Sequence, residues 1–234
     1  VLLALLAACA PSVYRMPGPL SGLGSEPAPE WHRRPERARP PAPPPVVRPP
    51  KPGPSPEEIA AAAAAYVGAS RIEVGGTRYR FDCSGLVEAS LASAGCPFTG
   101  SSASLFEQAR DLRVLHRRRR PSPGDVAFFD NTYDRDGNGR RDDPLSHVAV
   151  VESVASDGTI TMVHVGSKGV TRLVMNLRHP EDRTNEAGAV INDYLRAPTK
   201  GDSPRTRRLA GELWVGFASF WQVDQPAVSE RSTR

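Results

Sequence analysis

The sequence predicts an α+β domain in which N-terminal helices pack on an antiparallel β-sheet, and three observations predict it. Between residues 55 and 112 the apolar residues recur at helical spacing and are bounded by capping signals. From Pro121 the period changes to that of strands, with runs at 126–129, 147–154 and 159–165. A cysteine stands at a helix start in the first half, and two histidines stand at strand ends in the second.

The 234 residues divide unevenly before that domain begins. Residues 1–9 are an apolar run ending in Leu6-Ala7-Ala8-Cys9, too short to span a bilayer and placed like the end of an export signal. These four residues resemble a bacterial lipobox, which implies lipidation of Cys9 and tethering in a bacterial envelope. Ala10, not an aspartate, follows, and in that family this implies the outer membrane. Residues 10–55 are expected to be a proline-rich, disordered linker of polyproline character, centred on Pro40-Pro41-Ala42-Pro43-Pro44-Pro45. Extended at about 3.1 Å per residue, such a tether reaches on the order of 100 Å. Residues 11–56 carry seven basic and three acidic residues, which equals the +4 net charge of the whole chain. The remainder is near neutral, so a nucleic-acid-binding face is not implied. The domain is expected over 56–222, as a monomer, with 223–234 a disordered tail.

Ser55-Pro56-Glu57-Glu58 opens the domain with an N-cap serine, a proline at the first helical position and a capping-box glutamate. The helix runs on through the alanines to Val67, and Gly68 ends it. Arg71 to Val74 reads as a short strand and Gly75-Gly76 as a turn. Asp82 is the N-cap of the next helix, Cys83 to Ala94, with Gly95 at C′. Cys83 therefore stands in a first turn, where unpaired N–H groups and the helix dipole favour a thiolate. A small core residue is the competing reading of Cys83; the polar surround and the two downstream histidines favour a nucleophile. Cys83 and Cys96 lie about 18–20 Å apart by helical rise, beyond disulfide reach. Ser104-Leu105-Phe106-Glu107 matches a further capping box and starts a short helix, and Arg117 to Arg120 read as a solvated basic loop.

Among the strands, His147 opens one and His164 ends the next. If Asp157-Gly158 forms a two-residue turn, His164 stands four residues from the position opposite His147, about 13 Å along an ideal strand. A six-residue loop, strong coiling or a bulge would bring the two together. Between the first two strands, Asp134-Arg135-Asp136-Gly137-Asn138 followed by Gly139 matches the opening half of an EF-hand-type loop. Asp134, Asp136, Asn138 and Asp142 are the calcium candidates, and Leu145 stands where the bidentate acid would be. A polar hairpin insertion with Asp-Gly and Asn-Gly turns explains the same residues without a metal. Beyond Val170, residues 189–195 and 213–220 read as strands and 178–185 as loop.

Asp82-Cys83-Ser84-Gly85-Leu86-Val87, then Pro123-Gly124-Asp125-Val126 with Phe128-Phe129, then His147-Val148-Ala149-Val150, resemble the NlpC/P60 and CHAP branch of papain-like cysteine peptidases. The resemblance covers about residues 57–170. It implies a papain-like fold and hydrolysis of amide bonds in peptidoglycan stem peptides, with no metal or organic cofactor. Cys83 would be the nucleophile, His147 the general base and acid, and His164 the residue that orients it. NlpC/P60 members often have histidine in that third place, and CHAP members glutamate or asparagine. The implied partners are peptidoglycan and, through Cys9, a membrane. A catalytically silent wall-binding lipoprotein and an acyltransferase of the same fold are the alternatives.

Overall fold

The computed structural model describes residues 53–223. The lipobox with Cys9, nearly all of the proline-rich stretch and the end of the tail lie outside the described residues. Helix α1 (Pro56–Ala65) starts as its sequence requires, with Ser55 accepting from the Glu58 N–H and the Glu58 side chain returning to the Ser55 N–H. Strands β1 (Glu73–Val74) and β2 (Thr77–Arg78) form a small hairpin that leads into α2 (Cys83–Ser93). Helix α3 (Ser102–Asp111) begins earlier than the Ser104 capping box implies. Ser101 is its N-cap, accepting from the Ser104 N–H at 3.2 Å, and Glu107 pairs with Arg110 instead of returning to a cap.

The remaining strands are β3 (Leu115–His116), β4 (Val126–Phe129), β5 (His147–Val154), β6 (Thr159–Gly166), β7 (Gly169–Asn176) and β8 (Trp214–Ala218), the last entered from a single helical turn, α4 (Ala210–Leu213). They form one six-stranded sheet in the order β3-β8-β4-β5-β6-β7, antiparallel at every pair. The domain is thus α+β with an antiparallel sheet. Strand β4 is buried on both faces. Val126 and Phe128 join Val148 and Val150 against Ile59, Leu86, Leu91 and Leu105 of the three helices. Ala127 and Phe129 join Ala149, Val151, Ile160 and Met162 against Leu213 and Phe217. Each fully buried Val, Leu or Phe contributes about 1.5–3 kcal/mol, so both faces of this strand are heavily stabilised. Among the described residues no helix is long and apolar enough to cross a membrane.

Residues 189–195 do not form the expected strand. The segment is held by the single bridges Thr184↔Val190 and Tyr194↔Leu209 and by the buried Asn192. The Asn192 side-chain Oδ1 accepts from the Asn176 N–H at 2.8 Å, and its Nδ2 donates to the His179 and Asp182 carbonyls. One side chain does here what a ladder would do elsewhere.

Asp125 of the Pro-Gly-Asp motif, 1% exposed, is a second hub. Its carboxylate accepts from the Ser122 N–H (2.9 Å), the Ser219 hydroxyl (2.7 Å) and the Trp221 indole (2.9 Å), and lies 3.1 Å from His116 Nε2. It thereby ties the entry of β4 to β3 and to the end of β8. Removing it strands several buried donors at once, each worth about 1–3 kcal/mol. Asp125→Ala is therefore expected to lower stability by about 3–5 kcal/mol, read as a fall in urea midpoint at constant m-value. A loss below about 1 kcal/mol would contradict this role.

Candidate active site

Cys83 is the first residue of α2 and packs half-buried against the helix-side core. Asp82 caps the helix, its carboxylate accepting from the Gly85 N–H at 2.7 Å and lying 3.4 Å from Arg80 Nε. Gly85 is required by close approach, because a Cβ there would stand 2.0 Å from the Arg80 carbonyl oxygen. The Asp-Cys-Ser-Gly run is thus a tight entry that fixes the thiol at the helix start.

The thiol itself differs from the expectation. Burial pushes Cys83 up, opposed by backbone hydrogen bonding from Val148, and the adjacent Asp82 charge pushes it further up. The carboxylate that satisfies the helix start also repels a thiolate beside it. The helix dipole therefore does not win here, and Cys83 rests as a thiol.

His147 and His164 meet, with Nε2 of the first 2.9 Å from Nδ1 of the second and the rings nearly perpendicular. Two irregularities cut the four-residue stagger to two. The Ala155 N–H bonds the Thr159 carbonyl, so the turn is three residues, Ser156-Asp157-Gly158, with Gly158 in the left-handed region at φ 91°. A bulge at Glu152 then shifts the register by one more, from Val154↔Ile160 to Val151↔Met162. Continued from Val150↔Val163, the register sets His147 opposite Gly166 and His164 opposite Ala149. The histidines are then diagonal neighbours on one face, two residues apart in register, within the reach of long side chains. Gly166 leaves the space into which the His164 ring leans, since a Cβ there would lie 3.0 Å from its Cε1.

Burial lowers His147 to about 3, with His164 beside it lowering it further, and burial lowers His164 to about 4 against the opposing charge of Asp193. Both rings are neutral at pH 7. Below the ordinary value of 6.5 the unfolded chain binds protons that the folded pair refuses, so stability falls as pH falls from 6.5 towards about 3. The slope is at most about 1.4 kcal/mol per pH unit for each ring. Urea midpoints at pH 7, 5.5 and 4.5 should show it, and His164→Asn should flatten it; an unchanged slope in that variant would contradict the buried neutral pair.

One cleft of about 570 Å³ is lined by Cys83, His147 and His164 together. By alternation the histidines belong to the sheet face opposite α2, and they share the cleft with Cys83 at the end of the sheet where His147 opens β5. The same cleft is lined by Phe81, Tyr133, Arg141, Lys168 and Tyr194, none of which the motifs indicated.

The acidic loop lies to one side. Asp134 accepts from the N–H groups of Gly137, Asn138 and Gly139, which closes the loop in the manner of an Asx turn. The carboxylates of Asp134, Asp136 and Asp143 converge within 4.8 Å and offer the oxygen ligands a hard cation takes. Asp143, not Asp142, completes this group, because Asp142 is exposed and turned to Arg140 at 3.8 Å. Asn138 is turned inward on the loop, its oxygen accepting from the Arg140 N–H and its amide donating to Asp136.

Residues 73–165 match the family model of the CHAP domain, which bears out the CHAP branch of the resemblance. The match spans the stretch from β1 to β6 and includes Cys83, Asp125, His147 and His164. The CHAP domain in general indicates a hydrolase acting on peptidoglycan. No curated protein and no solved structure matches the chain.

Proposed function

From the CHAP domain at residues 73–165 as premise, we propose that this protein is a membrane-tethered peptidoglycan amide hydrolase, cutting stem peptides through a thioester on Cys83. The observation that carries the reading is the 2.9 Å His147–His164 contact in the cleft that also holds Cys83. In the productive tautomer the Nε2–H of His147 donates to His164 Nδ1, which leaves His147 Nδ1 to accept the thiol proton. Because thiol and imidazole are both neutral at rest, proton transfer accompanies attack of Sγ on the scissile carbonyl. The Gly85 N–H is taken by Asp82, the Leu86 N–H by the Asp82 carbonyl and the Ser84 N–H by the Cys83 sulfur, which leaves the Cys83 N–H as the helix-start donor for the oxyanion. His147 returns the proton to the leaving amine. Water, deprotonated by the same nitrogen, then cleaves the thioester and restores the thiol. This chemistry requires no cofactor.

Digestion of purified peptidoglycan followed by mass analysis tests the reading. The expected products carry a new amine and a new carboxylate at one stem-peptide amide. Transfer to an added amine in place of water would mark an acyltransferase, and an unaltered wall would sink the hydrolase reading. The tether rests on Leu6-Ala7-Ala8-Cys9. A fatty-acid probe supplied to a bacterial host making the precursor should label Cys9, and an unlabelled soluble product would refute anchoring in the envelope.

A further inference from the structure

Two stretches outside the Cys, Pro-Gly-Asp and His motifs, the 134–143 insertion and residues 193–202, meet at one end of the catalytic cleft. The insertion is fixed at its base, where the Asn131 N–H bonds the Asp143 carbonyl at 2.8 Å and the Thr132 N–H bonds Ser146 Oγ at 2.9 Å. Its returning limb is clasped reciprocally. Arg141 donates through Nη1 to the Ala197 carbonyl, and Arg196 donates through Nη1 to the Arg141 carbonyl at 3.2 Å. Arg196 is held in turn by Asp202 at 2.8 Å, with the two side chains 15% and 5% exposed. Asp202 also accepts from the Thr199 N–H and hydroxyl. The clasp sets Arg141, half-buried, in the lining of the cleft.

The charges of that lining are Asp82, Arg141 and Lys168, the histidines being neutral. Asp82 is committed to the α2 cap and to Arg80. The acids that follow Arg141 are committed to other arginines, Asp142 to Arg140 and Asp143 to Arg135. Lys168, in the turn between β6 and β7, lines the same cleft. The cleft therefore presents two cations and no uncommitted carboxylate of its own, and a planar guanidinium fixed by a backbone bond suits a carboxylate ligand.

We propose that Arg141 is a specificity-determining residue that binds a free carboxylate of the substrate peptide, with Lys168 supporting it. This deepens the hydrolase reading and rests on it for the identity of the ligand. The test compares two synthetic stem peptides that differ only in one carboxylate being free or converted to the carboxamide. The full chain should favour the free acid about tenfold or more in kcat/KM, mainly through KM. Arg141→Gln should remove that preference, and Arg141→Lys should restore part of it. Equal losses on both peptides in Arg141→Gln would make Arg141 a strut of the wall and overturn the proposal.

A second measurement does not depend on hydrolysis. Cys83 is alkylated with anionic iodoacetate or neutral iodoacetamide, and the extent is read at that residue by peptide mass analysis. The iodoacetate-to-iodoacetamide ratio should fall several-fold in Arg141→Gln relative to the unsubstituted chain. If neither peptide is cleaved but the ratio falls, the hydrolase reading fails and the carboxylate site stands. If peptides are cleaved while preference and ratio ignore Arg141, the site fails and the hydrolase reading stands.

Discussion

Cys83→Ser is expected to abolish hydrolysis of purified peptidoglycan, lowering kcat by at least about 10³-fold, with the urea midpoint nearly unchanged. Serine is close to isosteric with cysteine, so the α2 start and the cap from Asp82 persist. What changes is the proton that must be removed. His147, buried and held to about 3, is a weak base. It can relieve a thiol of its proton as the carbon–sulfur bond forms, but a hydroxyl is far harder to ionise and sulfur is intrinsically the better nucleophile. Cys96→Ser is the matched control. Cys96 is fully buried beyond the far end of α2, its thiol pushed up to about 11 by burial, and its sulfur lies 3.4 Å from the Phe220 carbonyl oxygen. A serine hydroxyl can donate to that oxygen, so activity should stay within about twofold. Wild-type activity in Cys83→Ser would remove the nucleophile assignment, whatever Cys96→Ser does.

His147→Ala is expected to fall to the same floor as Cys83→Ser, because the other basic groups of the cleft are engaged, Asp82 in the helix cap and His164 with His147 itself. General-base catalysis by a positioned imidazole is worth about 10²–10⁴-fold, and the members of a catalytic unit fail together. His164 acts through His147 and should behave differently. His164→Asn keeps an oxygen able to accept the His147 Nε2–H and should retain part of kcat, whereas His164→Ala should lose about 10–100-fold. The KM of both His164 variants should change little if the residue only orients the base. The acid limb of kcat/KM carries a further signature: it should lie well below pH 6.5 in the wild type, following the lowered rings, and rise in His164→Asn as one neighbouring ring is lost. Wild-type kcat in His164→Ala would exclude His164 from the site while leaving Cys83 and His147 in place.

Much of the domain could be read without coordinates, wherever the deciding interactions are between near neighbours in the chain. The Ser55 capping box, the Asp82 cap with Cys83 at the helix start, and the apolar runs of β4, β5 and β6 depend on residues two to four positions apart, and all stand as the sequence predicts. The order of the motifs was enough to point to the NlpC/P60 and CHAP branch, of which the CHAP model matches residues 73–165. The start of α3 was missed because Ser101 and Ser104 are both competent caps, and only the incoming chain selects between them. Strand β7 was not read from the sequence, and 189–195 were misread, because Asn192 replaces a ladder there.

Tertiary structure decided the rest. Whether His147 meets His164 turned on one bulge at Glu152 and one extra turn residue, each of which moves a side chain by a whole register step while leaving the alternation of apolar residues almost untouched. The state of the Cys83 thiol turned on burial and on the Asp82 charge, quantities that belong to the folded surroundings and not to the helix start alone. The insertion and the 193–202 segment are some 55 residues apart, and only the closed chain joins Arg141 to Ala197 and Arg196 to Arg141. From the sequence alone came the place of Cys83 at a helix start and the family resemblance, since capping and periodicity are local. The cleft wall, the meeting of His147 with His164 and the protonation of these two rings and the Cys83 thiol follow from long-range packing, which has no short-range signature to read.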